Sequence, residues 1–127
     1  MSDKSSNILH FKIRHEWRSW LEDHFTSERE ACLVYPNKSS GETGILYNDA
    51  VEEALCFGWI DSIYKKLDEG HTMQRFTPRK AGSSFSQPNK ERLMWLHRQN
   101  LIHPSVQTDI EDVLIAPERG LRNFKRD

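Results

Sequence analysis

The chain has 127 residues, a length typical of one domain, and its apolar fraction of 36% is that of a folded protein rather than a disordered one. Its net charge of −1 supplies no general attraction to nucleic acid or anionic lipid, so any basic patch must be local. Because no run of about 18 apolar residues and no secretory signal is present, we expect a cytoplasmic protein without membrane insertion. We predict one domain over residues 1–127, with flexible ends at 1–10 and 118–127.

The cysteines and histidines form no metal-binding pattern. Cys32 and Cys56 lie far apart in apolar surroundings without a CxxC motif, and no two histidines have HxH or HExxH spacing. We therefore predict free, mostly buried thiols, no metal site and no cofactor.

The first half of the chain predicts a helix, a strand and a second helix. Apolar residues recur at three- and four-residue spacings over 13–25, which predicts an amphipathic helix. The short apolar run 31–35 predicts a buried strand. A second helix is predicted from Asn48, as its N-cap, to Gly58, which can close it in the left-handed conformation. The residues of this helix expected to be buried are Ala50, Val51, Ala54 and Leu55.

After the second helix the apolar pattern changes its period from 3.6 to 2, which is typical of a strand. Residues 59–77 predict a β-hairpin with its turn at 68–70. One register places Ile63 opposite Phe76, although a slip of one residue would change this pairing.

Two more helices are predicted in the second half of the chain. Ser86 or Asn89 can cap a third helix that runs to about residue 100, and Pro104 suits the first turn of a fourth helix over 105–115. The predicted fold class is α+β, with a small, mainly antiparallel sheet and a central β-hairpin packed by about four helices.

Asp61 is unusual because it shares a predicted strand face with Trp59 and Ile63. A buried carboxylate without a partner is costly, so it is expected to be neutral or to find a cation and hydrogen bonds. Arg75 and Arg79 are the nearest candidates in sequence. They can form a structural ion pair with Asp61, or all three can face a pocket and bind or act on a ligand, and the sequence leaves both possibilities open.

The stretch that follows the hairpin contains the parts of an anion site. Arg75, Thr77 and Arg79 precede a serine-rich loop, and Ser86 and Asn89 stand at the predicted start of a helix. Such loops also form for purely local reasons, because serine and glycine suit turns and helix caps. Nearby aromatic and basic residues would suit single-stranded nucleic acid, but the neutral net charge argues against that partner.

Three segments carry a specific pattern: EWRSWL at 16–21, AVEEALCFGWIDS at 50–62 and QRFTPRK at 74–80. Their order and spacing resemble the bacterial YdeI/OmpD-associated family, over roughly residues 17–114. Members of that family usually carry a Ser-x-Trp-Ser-x-x-Asn segment, which here has Phe85 in place of the tryptophan. The resemblance implies a cytoplasmic bacterial protein connected with envelope stress or with resistance to bacteriocins and cationic peptides, and it implies no particular reaction.

These observations lead to three hypotheses about function. The first is a binding module for a small anionic or polar ligand or a peptide. Its candidate ligand-binding residues are Trp59, Asp61, Arg75, Thr77, Arg79, Ser86 and Asn89. The second is an enzyme with Asp61 as general acid or base and Arg75 or Arg79 stabilising negative charge. The third is a protein-interaction domain with an apolar patch around Tyr64 and Met73. The sequence identifies neither the ligand nor the oligomeric state.

Overall fold

The computed structural model describes residues 7–114, apart from the side chain of Asp112. In chain order, its strands and helices are β1 (Ile8–Leu9), α1 (Arg14–His24), β2 (Ala31–Pro36), α2 (Tyr47–Cys56), β3 (Trp59–Asp68), β4 (His71–Pro78), α3 (Gln87–Arg98), α4 (Pro104–Gln107) and α5 (Glu111–Leu114). Single 3-10 turns occur at Lys38–Ser40 and Thr108–Ile110. This architecture confirms the predicted α+β class.

The four strands form one mixed sheet in the order β1-β2-β4-β3. β1 runs parallel to β2, whereas β2 with β4 and β4 with β3 are antiparallel. The hairpin therefore makes half of the sheet, with β3 at its edge. β1 lies inside the segment 1–10 that was expected to be flexible, and a strand of two residues is too short to leave a recognisable sequence pattern.

The helices pack against one face of the sheet, and side chains alternate between this face and the other along each strand. β2 places Ala31 and Leu33 in the core beneath the helices and Cys32 on the opposite face, called the outer face below. Directly paired residues share a face, so Gln74, opposite Leu33, faces the helices. Arg75, opposite Cys32, lies on the outer face.

The hairpin register departs from the predicted one at a β-bulge. Phe76 pairs with Asp61, so the predicted pairing of Ile63 with Phe76 is wrong. An irregularity between Asp61 and Tyr64 shifts the alternation of β3, and Tyr64 then pairs with Gln74. Tyr64, rather than Ile63, is therefore the next side chain that shares the helix-facing side with Asp61.

Helix α2 begins two residues earlier than predicted and has a different cap. Its N-cap is Leu46, which makes no side-chain capping bond. Asn48 instead donates from Nδ2 to Glu52 Oε2 (3.2 Å) and accepts from Arg92 Nε (3.0 Å). Gly58, with φ +76°, follows the helix in the left-handed conformation, as predicted.

A cluster of three acids and two arginines, called the acid–arginine cluster below, joins α1 to α2. Glu52 and Glu53 are almost completely buried, with 1% and 5% of their surface exposed. Arg14 contacts Asp49, Glu52 and Glu53 at 2.8, 3.0 and 2.5 Å. Arg18 contacts the other oxygen of Glu53 at 3.0 Å. Buried charges need such partners, so the two glutamates depend on α1 for their place in the core.

The predicted fourth helix is interrupted within the described residues. α4 and α5 are separated by the 3-10 turn Thr108–Ile110, so residues 104–114 form a helical segment rather than one regular helix. Residue 115 and the predicted flexible end at 118–127 lie outside the described range.

Candidate functional site

Asp61 is half-buried and belongs to a chain of polar side chains on the helix-facing side of the hairpin. Its Oδ2 accepts from Gln74 Nε2 at 3.2 Å and from the Tyr47 hydroxyl at 3.4 Å. Gln74 is 2% exposed, and its Oε1 accepts from the Tyr35 hydroxyl at 2.7 Å. Burial raises the pKa of Tyr35, with a further contribution from the charge of Asp61, so its hydroxyl stays a donor.

Arg75 lies on the other side of the sheet from this chain. Its guanidinium donates from Nε to Glu30 Oε1, and the pair sits beside Cys32 on the outer face. Arg75 therefore neither pairs with Asp61 nor shares a pocket with it, because the residues that flank Arg75 on β4, and not Arg75 itself, point to the helices.

Arg79 also makes its contacts away from Asp61. Its Nη1 donates to the carbonyl and the hydroxyl of Ser83 and its guanidinium lies over the Phe85 ring, 4.3 Å from the centroid. The backbone N–H of Arg79 donates to the Gly58 carbonyl at 2.8 Å. Arg79 is thus fixed within the loop that follows the hairpin.

The remaining predicted site residues have structural contacts. Trp59 is 1% exposed and donates its indole N–H to the Phe25 carbonyl (3.3 Å), which places it in the core. Ser86 caps α3 by accepting from the Asn89 backbone N–H, and the Asn89 side chain accepts from Arg92. The last of these residues, Thr77, pairs with Ile60 on β3. The seven predicted residues therefore do not converge on one place.

A pocket of about 240 Å³ opens between the loop after the hairpin and the C-terminal helical segment. Its lining consists of Leu55, Gly58, Arg79, Ala81, Gly82, Phe85, Val106, Asp109 and Ile110. Of the seven predicted residues only Arg79 belongs to it. The wall made by residues 106–110 could not be predicted from the sequence, because no spacing pattern links that segment to the loop 79–85.

The pocket combines an apolar floor with opposite charges at its edge. Leu55, Val106 and Ile110 are buried core side chains. Within residues 7–114, Nε and Nη2 of Arg79 donate no hydrogen bond and the Asp109 carboxylate accepts none; Arg79 is half-buried and Asp109 is exposed. The pocket therefore offers apolar surface together with unused N–H donors and an unused carboxylate.

The two cysteines are free and buried, as predicted. Burial raises the pKa of the Cys56 thiol to about 11, so it is protonated at neutral pH and a poor nucleophile. In the described range, no group of three or more His, Cys, Asp and Glu side chains is arranged to hold a metal ion. None of the helices within residues 7–114 has the length and apolar character needed to cross a membrane.

Comparison with known proteins gives one match. A family model described as a domain of unknown function (DUF8412) matches residues 9–109, which include the hairpin, the loop after it and most of the pocket lining. No curated protein and no solved structure matched the chain. The matched description names no activity or partner, so the resemblance to the YdeI/OmpD-associated family stays a prediction.

Proposed function

We propose a function from the pocket geometry, on the premise that the chain belongs to the DUF8412 family, a domain family of unknown function. The proposed function is a binding module for a small ligand that combines an apolar body with one anionic group. The observation that carries this proposal is the position of Arg79 at the edge of an apolar pocket, with two guanidinium nitrogens unused by the described residues.

The pocket floor supports binding of the apolar body. Leu55, Val106 and Ile110 present aliphatic surface, and Phe85 adds an aromatic wall. The volume of about 240 Å³ is below the ~300–1,000 Å³ of pockets that take drug-sized ligands. A compact metabolite suits this space better than a nucleotide cofactor.

Arg79 supports binding of the anionic group. The Phe85 ring below the guanidinium and the bonds to Ser83 hold it in one orientation. A fixed planar guanidinium presents its free N–H groups to a carboxylate without first losing side-chain freedom. Such preorganisation raises affinity, because less entropy is lost on binding.

Asp109 narrows the class of ligand. Its carboxylate lines the same pocket as Arg79, so a ligand with several negative charges meets repulsion there. A ligand with a single carboxylate and an N–H donor at its other end fits both charges. Small carboxylates are therefore favoured over polyphosphates.

Benzoate and its neutral isostere benzamide test the proposal in a thermal-shift titration supported by ¹H–¹⁵N NMR. Millimolar benzoate is expected to raise Tm and to shift amide signals of residues 79–85 and 106–110, whereas benzamide does so weakly. At a ligand concentration about tenfold above Kd the expected stabilisation is about 1.4 kcal/mol. Arg79→Gln should remove the benzoate effect, since the variant keeps much of the side chain but loses its charge.

Arg29→Gln is the matched control, because Arg29 is exposed and makes no hydrogen bond or ion pair with the described residues. It should bind benzoate like the wild type. Equal binding of benzoate and benzamide, or unchanged binding by Arg79→Gln, contradicts the proposal.

The geometry gives less support to the enzyme hypothesis. Asp61 receives hydrogen bonds from Gln74 and Tyr47, whereas Arg75 is paired with Glu30 and Arg79 is bonded to Ser83, so neither arginine forms an ion pair with Asp61. The cytoplasmic location and the connection with envelope stress or bacteriocin resistance are part of the proposal only through the sequence resemblance. A deletion strain with altered survival under bacteriocin challenge would support that connection.

A further inference from the structure

Asp61 carries a negative charge that no cation of the described chain neutralises by an ion pair. The bonds to its Oδ2 come from the neutral groups of Gln74 and Tyr47, and residues 7–114 place no lysine or arginine in ion-pair contact with it. A half-buried carboxylate without a cationic partner loses part of its hydration, and no opposite charge offsets that loss. Local departures from the usual rules of stability often mark functional positions.

Aromatic rings gather around this carboxylate. Tyr47 and Tyr64 are 47% and 59% exposed, although each is a large aromatic side chain. The Tyr47 hydroxyl reaches Asp61, and the Tyr64 ring lies 6.3 Å from the ring of Tyr35, whose hydroxyl bonds the same Gln74 that bonds Asp61. Tyr47 therefore contacts the Asp61 carboxylate directly, and Tyr64 lies one residue pair further along the same face of the hairpin.

The buried residues behind Asp61 are held in fixed positions. Tyr35 and Gln74 are buried and hydrogen-bonded to each other at 2.7 Å, so they cannot turn toward water without losing that bond. The bulge in β3 brings Tyr64 onto the same face as Asp61, and Thr72 contacts the Tyr64 hydroxyl at 3.3 Å. The arrangement thus exists before any ligand binds.

The surrounding charges limit what can bind. Arg92 is near enough to Tyr47 to act on it electrostatically and, within residues 7–114, is hydrogen-bonded only to the neutral side chains of Asn48 and Asn89, so its positive charge opposes a large polycation. Lys66 is paired with Glu69 at 3.4 Å. A dication would need more than one carboxylate, whereas a weakly hydrated monocation can use both a carboxylate and aromatic faces.

We propose that Tyr47, Asp61 and Tyr64 form a second binding site, which takes the organic ammonium group of a small molecule. Asp61 supplies the opposite charge, and the two exposed tyrosine rings supply cation–π contacts. This site is separate from the Arg79 pocket, whose lining includes none of these residues.

Tetramethylammonium chloride is the probe, titrated at constant ionic strength against ¹⁵N-labelled protein. Saturable shifts of the amides of Tyr47, Asp61 and Tyr64 are expected in the millimolar range, while the neutral analogue tert-butanol gives none. Asp61→Asn should weaken binding about tenfold, because it removes the charge but keeps the shape. Tyr64→Ala should also weaken it, whereas Tyr64→Phe, which keeps the ring, should not.

Ile63→Ala is the matched control. Ile63 is 55% exposed on the same strand, but it lies at the bulge and is not part of the proposed ammonium site. Arg79→Gln should also bind the probe normally, which separates this proposal from the pocket proposal. Tyr64 is exposed, so its variants test the idea even if Asp61→Asn fails to fold. Shifts that do not saturate, or that are equal with tert-butanol or in Tyr64→Ala, overturn the proposal.

Discussion

At the scale of single residues, Gln74 is the side chain on which the polar chain of the hairpin depends. Its amide links the buried Tyr35 hydroxyl to Asp61. The amide of a buried glutamine is easily overlooked in a sequence, because it lies between two residues with stronger signals, Met73 and Arg75. It is held in the core by its partners, not by its hydrophobicity.

Gln74→Leu tests this dependence. The leucine fits the space but leaves the Tyr35 hydroxyl without its acceptor, so the free energy of unfolding should fall by about 1–3 kcal/mol. Urea denaturation followed by far-UV circular dichroism measures the change. Gln87→Leu, at the exposed start of α3, should change stability by less than about 0.5 kcal/mol. Equal effects of the two substitutions would show that the bond to Tyr35 does not matter for stability.

The sequence singled out Asp61 by its apolar neighbours, but it did not identify the residues that surround Asp61 in the structure. The periodicity of β3 was assumed to be regular, and this assumption grouped Asp61 with Ile63. Because of the bulge, Tyr64 and not Ile63 shares a face with Asp61, and no residue type in the segment predicts a bulge there. The aromatic surroundings of Asp61 therefore required the structure.

At the scale of elements, the contact between α1 and α2 depends on the acid–arginine cluster. Glu53 receives bonds from both Arg14 and Arg18, so it is the residue whose loss affects both arginines. Such a cluster fixes the relative position of two helices, because the charges are stable in the core only when they are paired.

Glu53→Gln should lower the free energy of unfolding by about 3 kcal/mol, since the partly buried Arg18 guanidinium loses its carboxylate partner and Arg14 loses one of its three. Chemical denaturation is again the measurement. Glu22→Gln on the exposed side of α1 is the control and should be near neutral. A small effect of Glu53→Gln would mean that the arginines find other partners in the remaining acids of the cluster.

The tip of the hairpin is tied to the loop that follows β2 by His71. Its ring is hydrogen-bonded to Asp68 at 2.8 Å and to Glu42 at 3.2 Å. These two carboxylates raise the pKa of His71, Asp68 first and Glu42 second, while the same contact with His71 lowers the pKa of Asp68. The charged form of His71 is therefore favoured in the folded state.

The sign of the pH dependence follows from these directions. His71 contributes its stabilisation fully below its unfolded pKa of about 6.5 and loses it as the pH rises through the higher folded pKa. Asp68 contributes above its unfolded pKa of about 3.9 and loses its contribution as the pH falls through the lower folded pKa. His71→Gln should therefore flatten the decrease of the urea midpoint between about pH 6 and 8.

His15→Gln is the control for that experiment, because His15 is exposed and makes no contact of this kind within residues 7–114. It should keep the wild-type slope. An identical slope in His71→Gln would mean that another group causes the pH dependence in this range.

At the scale of the whole molecule, the order and kind of the main elements could be predicted because their signals are local. The apolar residues of helix α1 and of the hairpin strands recur with a recognisable period within about a dozen residues. Pro36 marks the end of β2, and Gly58 marks the end of α2. The pocket could not be predicted in the same way, since its walls come from residues 55–58, 79–85 and 106–110. These three segments come together only through the packing of the helices on the sheet.

The separation of the two arginines is a consequence of this packing, and it gives a test with two opposite outcomes. Arg75 is bound to Glu30 on the outer face, whereas Arg79 borders the pocket. Arg75→Gln should lower the free energy of unfolding by about 1 kcal/mol and leave benzoate binding unchanged. Arg79→Gln should abolish benzoate binding with a smaller effect on stability, because Arg79 is half-buried and forms no ion pair within residues 7–114. If both variants lost binding, the outer face of the sheet would influence benzoate binding through β4, and residues outside the pocket lining would contribute to affinity.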